Sequence, residues 1–254
     1  MLLQMELYAN ELKKHTQVNV FLPNDKEKTA APCKTLWLLH GGSDDHTAWT
    51  RNTFIEQYAA KYDLAVVMPN ADRSWYTNTA YDMNYFNYIV DELPTLCRRT
   101  FKMMSDRRED NIIGGLSMGG YGALKAALTF PERYASCISL SGSVDVTRKG
   151  RRVRINEWKS VFGFDLESPL ELEGSEHDIF ALASKVKEAG KSFPKVYLWC
   201  GLGDALLNAN CALGQHLTEL GAPHCLETSE GDHSWKWWDL HIQSGLKWVL
   251  DDQR

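Results

Sequence analysis

The sequence has no CxxC pair, no long apolar run and no excess of basic residues, and each absence argues against a class of protein. Its six cysteines are scattered along 254 residues, which disfavours both a zinc site and a disulfide framework. Its apolar runs fall short of the roughly 18 residues that a membrane span needs. The formal net charge is -5, so the basic surface typical of nucleic-acid-binding proteins is not expected.

The N-terminal stretch MLLQMELYANELKK has neither a basic start nor a sustained apolar segment, so it does not resemble a secretory signal. We therefore expect a cytoplasmic protein that contacts neither membranes nor nucleic acids. The composition, 44% hydrophobic and 24% charged, is ordinary for a globular chain. Because no repeat or low-complexity linker divides the sequence, we expect one domain, residues 1–254, that is large enough to bury its own core.

Short apolar runs alternate with segments of helical spacing along most of the chain. Such alternation predicts an α/β fold in which helices cover both faces of a mostly parallel central sheet. The predicted helices include DMNYFNYIVDELPTLCRRTF, which Pro94 is expected to kink or break. The predicted strands are an antiparallel pair near MELYA and VNVFLP, followed by TLWLLHG, LAVVMPN, NIIGGLS, YASCISLSG, KVYLWCG and a weaker HCLETSEG.

One interval, residues 143–177, contains no confident strand and interrupts the alternation. Loops of this length in compact domains are usually functional or mobile, so we expect a short cap insertion built from small helices. The interval includes a basic run at 148–154. We interpret the run as a solvated loop face, and contact with an anionic substrate or a partner chain stays the alternative.

The stretch NIIGGLSMGGYGAL contains GLSMG, which fits the G-x-S-x-G pattern of a nucleophile elbow. Ser117 is then expected on a tight strand-to-helix turn, where Gly115 and Gly119 avoid side chains that would clash. The turn presents the hydroxyl at the carboxyl end of the sheet, where open α/β sheets hold their ligands. The N–H of Met118, at the helix start, would face a developing oxyanion. A glycine-rich turn without chemical consequence is the alternative.

A serine hydroxyl is a poor nucleophile at neutral pH and needs a base. In the fold that uses this motif, the chain order is serine, then an acid, then histidine. Of the five histidines that follow Ser117, His233 alone lies in the loop directly after the last predicted strand, in SEGDHSWKWW. That loop lies at the same sheet edge as the elbow, so we predict that His233 is the base.

The orienting carboxylate is expected in the loop after the preceding strand, and KVYLWCGLGDALLNAN supplies Asp204 there. It would accept a hydrogen bond from the ring N–H of His233. Its rival is Asp232, but neighbouring residues on an extended loop point apart. The other alternative is that Asp204 is the N-cap of the helix that follows.

A second oxyanion donor is expected in the loop after the third strand, which reads LLHGGSDDHTAW. There the backbone of His40-Gly41-Gly42 can approach a ligand closely, and the N–H of Gly42 is our candidate donor. His40 directly follows a buried strand, which favours a structural hydrogen-bonding role over a catalytic or metal-binding one.

The sequence resembles the esterase D-like branch of the α/β-hydrolases in several blocks along the chain. They are LLHGG, GLSMGGYGALKAAL, FPERYA, LSG, GSEHDIFALA, CGLGD and GDHSWKWWD. Within this branch, the sequence is similar to bacterial tributyrin esterases and their feruloyl esterase and S-formylglutathione hydrolase relatives. The resemblance implies a serine carboxylesterase for small short-chain esters, with Ser117, Asp204 and His233 as its triad and neither metal nor cofactor. It also implies that Trp75 and Tyr76 line the substrate pocket.

Several alternatives stay open at this point. The same residues would also serve the hydrolysis of feruloyl or acetyl-sugar esters and of thioesters of the S-formylglutathione type. They would equally serve acyl transfer to an acceptor other than water. A non-catalytic binding protein with this scaffold is the alternative of another class, although such proteins usually lose one member of the triad. The sequence also leaves open the natural ester and whether the chain forms a homo-oligomer.

Overall fold

The computed structural model describes residues 1–23, 32–147 and 155–251, and an eight-stranded sheet runs through them. The strands are β1 (Leu2–Ala9), β2 (Lys14–Phe21), β3 (Thr35–Leu39), β4 (Ala65–Pro69), β5 (Asn111–Leu116), β6 (Ser136–Leu140), β7 (Lys195–Gly201) and β8 (His224–Ser229). Their order across the sheet is β1-β2-β4-β3-β5-β6-β7-β8. The β1–β2 and β2–β4 pairs are antiparallel, and every other pair is parallel. The α/β fold with a mostly parallel sheet is therefore confirmed.

Helices cover both faces of this sheet, as the alternation predicted. The helices are α1 (Ala48–Asn52), α2 (Ile55–Lys61), α3 (Tyr85–Asn87), α4 (Leu93–Thr100), α5 (Met118–Thr129), α6 (Ile155–Phe162), α7 (Ile179–Glu188), α8 (Leu207–Leu220) and α9 (Trp235–Asp251). One apolar core lies between the sheet and α3 to α8, and the other lies between the sheet and α1, α2 and α9. Every position of β3, β4, β5 and β6 is buried, which explains why these strands read as continuous apolar runs.

The long helix predicted around Pro94 is interrupted, in agreement with the kink or break expected at this proline. A π-helical turn, Tyr88–Glu92, separates α3 from α4, and Pro94 lies at the start of α4. In a regular helix the proline ring would clash with the carbonyl of Val90 four residues earlier. Here the Val90 carbonyl accepts a hydrogen bond of 3.0 Å from Arg133 instead. The wider turn thus lets the chain continue past the proline, with that carbonyl satisfied from outside the helix.

The register places the candidate elbow at the centre of the sheet. β5 pairs with β3 on one side, where Gly115 faces Leu39, and with β6 on the other, where Leu116 faces Leu140. The turn that follows β5 therefore emerges between the ends of two neighbouring strands. Loops after β3, β6, β7 and β8 all meet it at the carboxyl edge.

The described part of the interval 143–177 contains α6 and a 3-10 turn, Pro169–Leu172. Trp158 of α6 is buried and donates a hydrogen bond of 3.0 Å to the carbonyl of Val146. The basic run at 148–154 lies outside the described residues. All six cysteines are free thiols. Within the three described ranges, no helix combines the length and apolar character needed to cross a membrane.

Candidate active site

Ser117 occupies the tight turn between β5 and α5 that the motif predicted. Its backbone angles, φ 52° and ψ -115°, lie in a region that residues with a side chain rarely adopt. Hydrogen bonds hold this conformation from both sides: its N–H donates to the carbonyl of Leu140 at 2.9 Å, and its carbonyl accepts from the N–H groups of Tyr121 and Ser143. The neighbouring strand β6 and the loop after it therefore fix the elbow.

The two motif glycines are required by close backbone contacts. A Cβ at Gly115 would lie 2.5 Å from the carbonyl carbon of Gly119. A Cβ at Gly119 would lie 2.7 Å from the carbonyl oxygen of His40, and closer still to that of Leu39. These atoms are all backbone and cannot move aside easily. The elbow thus packs directly against the end of β3, which brings Ser117 next to the His40-Gly41-Gly42 segment.

The structure brings Ser117, His233 and Asp204 together from three loops. His233 Nε2 lies 3.0 Å from Ser117 Oγ, and His233 Nδ1 lies 2.8 Å from Asp204 Oδ2. An ionised carboxylate can only accept hydrogen bonds, so the ring proton is on Nδ1 and donates to Asp204. Nε2 is then free to accept the hydroxyl proton of Ser117. The side chain of His233 is 40% exposed and that of Asp204 is 1% exposed, so solvent reaches the base but not the acid.

Asp204 is buried but well supplied with donors. Burial by itself would raise the pKa of its carboxyl, but hydrogen bonds from His233 and from the N–H of Leu206 outweigh it and lower the pKa below its ordinary value. The acid is therefore ionised at neutral pH. Its bond to Leu206, 2.9 Å long, forms a turn ahead of α8, but Leu206 is the N-cap position and Asp204 is not.

The rival carboxylate, Asp232, is directed elsewhere. It accepts a hydrogen bond from the hydroxyl of Ser234 two residues later. Of the two aspartates considered from the sequence, Asp204 is the one that the structure places against the ring of His233.

The two candidate oxyanion donors, Gly42 and Met118, lie side by side. A Cβ at Gly42 would be 3.9 Å from the Cβ of Met118. Met118 is the first residue of α5, and Ser117 makes no side-chain capping bond there. The first N–H groups of a helix have no partner within it, so Met118 offers an N–H at the positive end of the α5 dipole.

His40 has the structural role expected of it. It is buried, its Nε2 accepts the N–H of Ala71 at 2.9 Å, and its Nδ1 donates to the carbonyl of Gly41 at 2.7 Å. Burial lowers the pKa of its ring, in agreement with a neutral imidazole that donates from one nitrogen and accepts at the other. The ring thereby anchors the segment that carries Gly42.

The two aromatic residues expected to line the pocket occupy different environments. Tyr76 is fully buried, its ring lies against Gly122 of α5, and its hydroxyl donates to the carbonyl of His40 at 2.9 Å. This burial argues against the pocket-lining role and indicates a supporting one. Trp75 is 8% exposed and makes an edge contact with Trp158 of α6, with ring centroids 4.9 Å apart. Only a small edge of Trp75 is available to a ligand.

Trp49 and Trp235 lie on the opposite face of the sheet from Trp75. Trp49 is buried, and Trp235 is partly buried against the same core. Their rings are in edge-to-face contact at 5.1 Å. Both tryptophans therefore pack in this second core and not in the substrate site.

Sequence reasoning missed a buried lysine behind the elbow. Lys125 of α5 is 2% exposed; its Nζ donates to Thr77 Oγ1 at 3.0 Å and lies 3.1 Å from Nδ1 of His177. It also lies over the ring of Phe86, 4.6 Å from the centroid. The segment GALKAAL carries no signal for this, because lysine in a helix ordinarily indicates an exposed position.

Within the part of the chain that the structure describes, no group of three or more histidine, cysteine or acidic side chains is arranged to hold a metal ion. The side chains that meet at the elbow, a hydroxyl, an imidazole and a carboxylate, form the arrangement used for nucleophilic attack on acyl groups.

Comparisons with known proteins cover nearly the whole chain. The family model described as "Putative esterase" matches residues 9–249. The chain is 32% identical to an acetyl esterase of Caldicellulosiruptor saccharolyticus, over 98% of this chain and 97% of that protein. It is similar to the substrate-bound structure of FphF, a fluorophosphonate-binding serine hydrolase of Staphylococcus aureus, with a TM-score of 0.90, 34% identity and 98% coverage of both chains. It is also similar to an S-formylglutathione hydrolase, FrmB, of the same organism, with a TM-score of 0.87, 33% identity and the same coverage.

Proposed function

The chain belongs to the esterase family and is a carboxylic ester hydrolase, and from this we propose that it cleaves short-chain acyl esters through Ser117, His233 and Asp204. One observation carries the proposal: the 3.0 Å separation between His233 Nε2 and Ser117 Oγ, with Asp204 on the other ring nitrogen. A nucleophile, a base and an orienting acid in this relation are what acyl transfer requires.

In the first half of the reaction, Ser117 Oγ attacks the ester carbonyl carbon while its proton passes to His233 Nε2. Asp204 stabilises the resulting imidazolium. The carbonyl oxygen becomes an oxyanion that accepts hydrogen bonds from the N–H groups of Gly42 and Met118. His233 then gives its proton to the oxygen of the leaving alcohol, the bond between that oxygen and the acyl carbon breaks, and an acyl-Ser117 ester remains.

In the second half, water takes the place of the alcohol. His233 removes a proton from the water as its oxygen attacks the acyl carbon. The same two N–H groups receive the second oxyanion. His233 then returns the proton to Ser117 Oγ, which leaves the acyl carbon, and the carboxylic acid is released. The buried, ionised Asp204 serves both halves in the same way.

The proposed preference for short acyl groups is supported by the 32% identity to an acetyl esterase over almost the full length of both proteins. Thioester hydrolysis is a second candidate, because the chain is 33% identical to an S-formylglutathione hydrolase over 98% of both chains. A series of p-nitrophenyl esters from acetyl to octanoyl, measured beside S-formylglutathione, methyl ferulate and an acetylated sugar, separates these substrate classes. We expect the highest kcat/KM with acetyl or butyryl esters.

The triad is tested with Ser117→Ala, Asp204→Asn and Asp232→Asn, assayed on p-nitrophenyl acetate. We expect Ser117→Ala to lower kcat at least about a thousandfold and to abolish labelling by a fluorophosphonate. Asp204→Asn should lose most of the rate, and Asp232→Asn, the matched control, should keep it. Substantial turnover by Ser117→Ala, or a reversed order of the two aspartate variants, would contradict the assignment.

Three questions raised by the sequence stay open. They are whether the protein is cytoplasmic as expected, whether its copies form a homo-oligomer, and whether residues 143–177 act as the expected cap on a single domain. Cell fractionation tests the first, and sedimentation of the purified protein tests the second. Deletion of α6, followed by measurement of KM for the short and long esters, tests the third.

A further inference from the structure

The pairing of β7 with β8 continues past both strands, into the loops that carry the acid and the base. The N–H of Leu202 donates to the carbonyl of Ser229 at 2.9 Å, and the N–H of Gly203 donates to the carbonyl of Gly231 at 2.8 Å. The second of these bonds lies one residue before the acid and two residues before the base. The loop of residues 230–233 is therefore tied to the end of β7 at its base.

The turn at Gly231 lies directly against an indole of the neighbouring strand. A Cβ at Gly231 would be 2.9 Å from Cζ2 of Trp199 and 3.2 Å from Cδ2 of Trp237. Trp199 belongs to β7 and is fully buried. The loop 230–233 therefore packs on a rigid ring, and a shift of this ring would displace the histidine that the loop carries.

Ser229, the last residue of β8, holds that ring by its polar atom. The indole Nε1 of Trp199 lies 3.0 Å from Ser229 Oγ, and because an indole N–H can only donate, the serine oxygen accepts. The same oxygen lies 3.2 Å from Nε2 of His241 and 3.3 Å from the carbonyl oxygen of Glu230, and the hydroxyl proton is directed to one of these two. One hydroxyl thus joins β7, α9 and the first residue of the loop 230–233.

His241 of α9 covers the face of the same indole. It is 4% exposed, and its ring stacks on that of Trp199 with centroids 4.1 Å apart and an interplanar angle of 14°. Its Nδ1 lies 3.3 Å from Oε1 of Glu227, whose other oxygen accepts a hydrogen bond of 2.5 Å from the hydroxyl of Tyr197. The imidazole therefore has a polar neighbour at each ring nitrogen, Ser229 at one and Glu227 at the other.

A hydroxyl, an imidazole and a carboxylate thus lie next to one another a second time, but in surroundings unlike those of the elbow. Ser229 belongs to an extended strand, and its oxygen is occupied by the indole N–H of Trp199. The side chain of His233 is 40% exposed, whereas His241 is buried and closed to a substrate. The second set therefore has the character of a support beneath the first one.

We propose that Ser229 is a positioning residue that keeps His233 aligned with Ser117. The inference rests on the triad proposed above. The hydroxyl of Ser229 fixes the indole of Trp199 beneath Gly231. The loop 230–233, seated on that indole, then holds His233 Nε2 at 3.0 Å from Ser117 Oγ. Without the hydroxyl the loop can shift, and a catalytic group misplaced by about 1 Å can lose up to about a hundredfold in rate.

The test compares kcat/KM of Ser229→Ala and the wild type on two acetates that differ in their leaving group, p-nitrophenyl acetate and butyl acetate. The butyl oxygen must receive a proton from His233 as it leaves, whereas p-nitrophenolate leaves as an anion. A displaced base therefore costs more on the butyl ester, while a partly unfolded protein loses the same factor on both. Titration with a fluorophosphonate counts the active enzyme, and near-ultraviolet circular dichroism verifies that each variant is folded.

For Ser229→Ala we expect kcat/KM to fall about tenfold on butyl acetate and at most about threefold on p-nitrophenyl acetate. Ser229→Thr keeps a hydroxyl at this strand position, so both values should return to within about twofold of the wild type. The matched control is Thr228→Ala, because Thr228 is the exposed neighbour on β8 and its side chain points to the other face of the sheet. It should leave both values unchanged.

The positioning role is overturned by wild-type values in a folded Ser229→Ala, by an equal loss on both esters, or by a Ser229→Thr as slow as Ser229→Ala. Fluorophosphonate labelling of Ser117→Ala at Ser229 would also overturn it, because Ser229 would then be a nucleophile. Turnover by Ser117→Ala separates the two proposals. If it persists, the triad itself fails, whereas if it is absent and Ser229→Ala behaves as wild type, only the positioning role fails.

Discussion

Lys125 gives the sharpest stability prediction, since it is a buried base whose hydrogen-bond partners are neutral. Its ammonium or amine contacts a threonine hydroxyl, an imidazole nitrogen and an aromatic face. Burial lowers the pKa of Lys125 from its ordinary 10.5 to about 7, against an opposing attraction from Glu176. His177 is the other titratable neighbour; burial and Lys125 lower its pKa to about 3, so it stays neutral at and above pH 7.

The sign of the pH effect follows from which state binds the proton. Between pH 7 and 10.5, the unfolded chain keeps the lysine proton and the folded chain does not. Folding stability must therefore rise with pH across this window, by up to about 1.4 kcal/mol per pH unit. Below pH 7 both states are protonated, and the folded protein bears the full cost of the buried charge, which is about 5 kcal/mol.

We expect Lys125→Met to remove this dependence. Methionine fills similar space without a charge, but it leaves Thr77 and His177 without the hydrogen bonds that Lys125 supplies, at a cost of about 1–3 kcal/mol. The variant should therefore be about 2–4 kcal/mol more stable than the wild type at pH 7. The difference should shrink by about 2–3 kcal/mol on going to pH 9.

Urea denaturation of both proteins at a series of pH values measures this difference. Groups shared by the two proteins cancel, so the comparison isolates Lys125. The matched control is Lys102→Met, which removes the same charge from an exposed position. The reasoning is refuted if the free energies of unfolding of the wild type and Lys125→Met differ by the same amount at pH 7 and pH 9. Lys125 would then ionise alike in the folded and unfolded chains.

Two further substitutions test the contacts around the elbow, and a third is a control far from it. Gly119→Ala should lower the free energy of unfolding by about 3 kcal/mol and reduce esterase activity. The reason is that the new Cβ would lie 2.7 Å from the carbonyl oxygen of His40, and an unchanged urea midpoint would contradict this. Tyr76→Phe removes a buried hydroxyl that donates to that same carbonyl. We therefore expect the free energy of unfolding to fall by about 1 kcal/mol and kcat to be lower, and full activity would disprove the supporting role. Gly190→Ala, at φ 62° in open space, should cost about 1 kcal/mol and leave kcat unchanged; a change in kcat would show that backbone strain far from the elbow also affects the site.

The sheet and the proximity of Ser117, Asp204 and His233 could be predicted from the sequence because both follow from connectivity. In a parallel sheet the loops that follow the strands meet at one edge, so the positions of Ser117, Asp204 and His233 after β5, β7 and β8 bring them near one another. The strained turn was predictable for a similar reason, since Gly115 and Gly119 mark close backbone contacts. These features depend on local sequence and strand order alone.

The features that the sequence did not reveal depend on contacts between distant segments. The alanine-rich helix around Lys125 gives no indication that Thr77 and His177 enclose the lysine. The π-helical turn before Pro94 depends on Arg133, some 40 residues later, which satisfies the freed carbonyl of Val90. Tyr76 reads as a loop aromatic, but the space left by Gly122 of α5 lets it become fully buried.

The distribution of unfavourable backbone angles connects the fold to the site. Eight residues other than glycine have positive φ in the described chain, and three of them are aspartates, which tolerate this conformation. Four of the other five are serine, tryptophan or tyrosine, and all four lie at the carboxyl edge of the sheet: Trp75, Tyr76, Ser117 and Ser141. Each such residue costs about 1–3 kcal/mol, so the surrounding packing must supply several kcal/mol to keep them in place. The elbow is therefore rigid because the sheet and both neighbouring loops enforce it, and a substitution that relaxes this edge is expected to increase stability at the expense of the alignment on which acyl transfer depends.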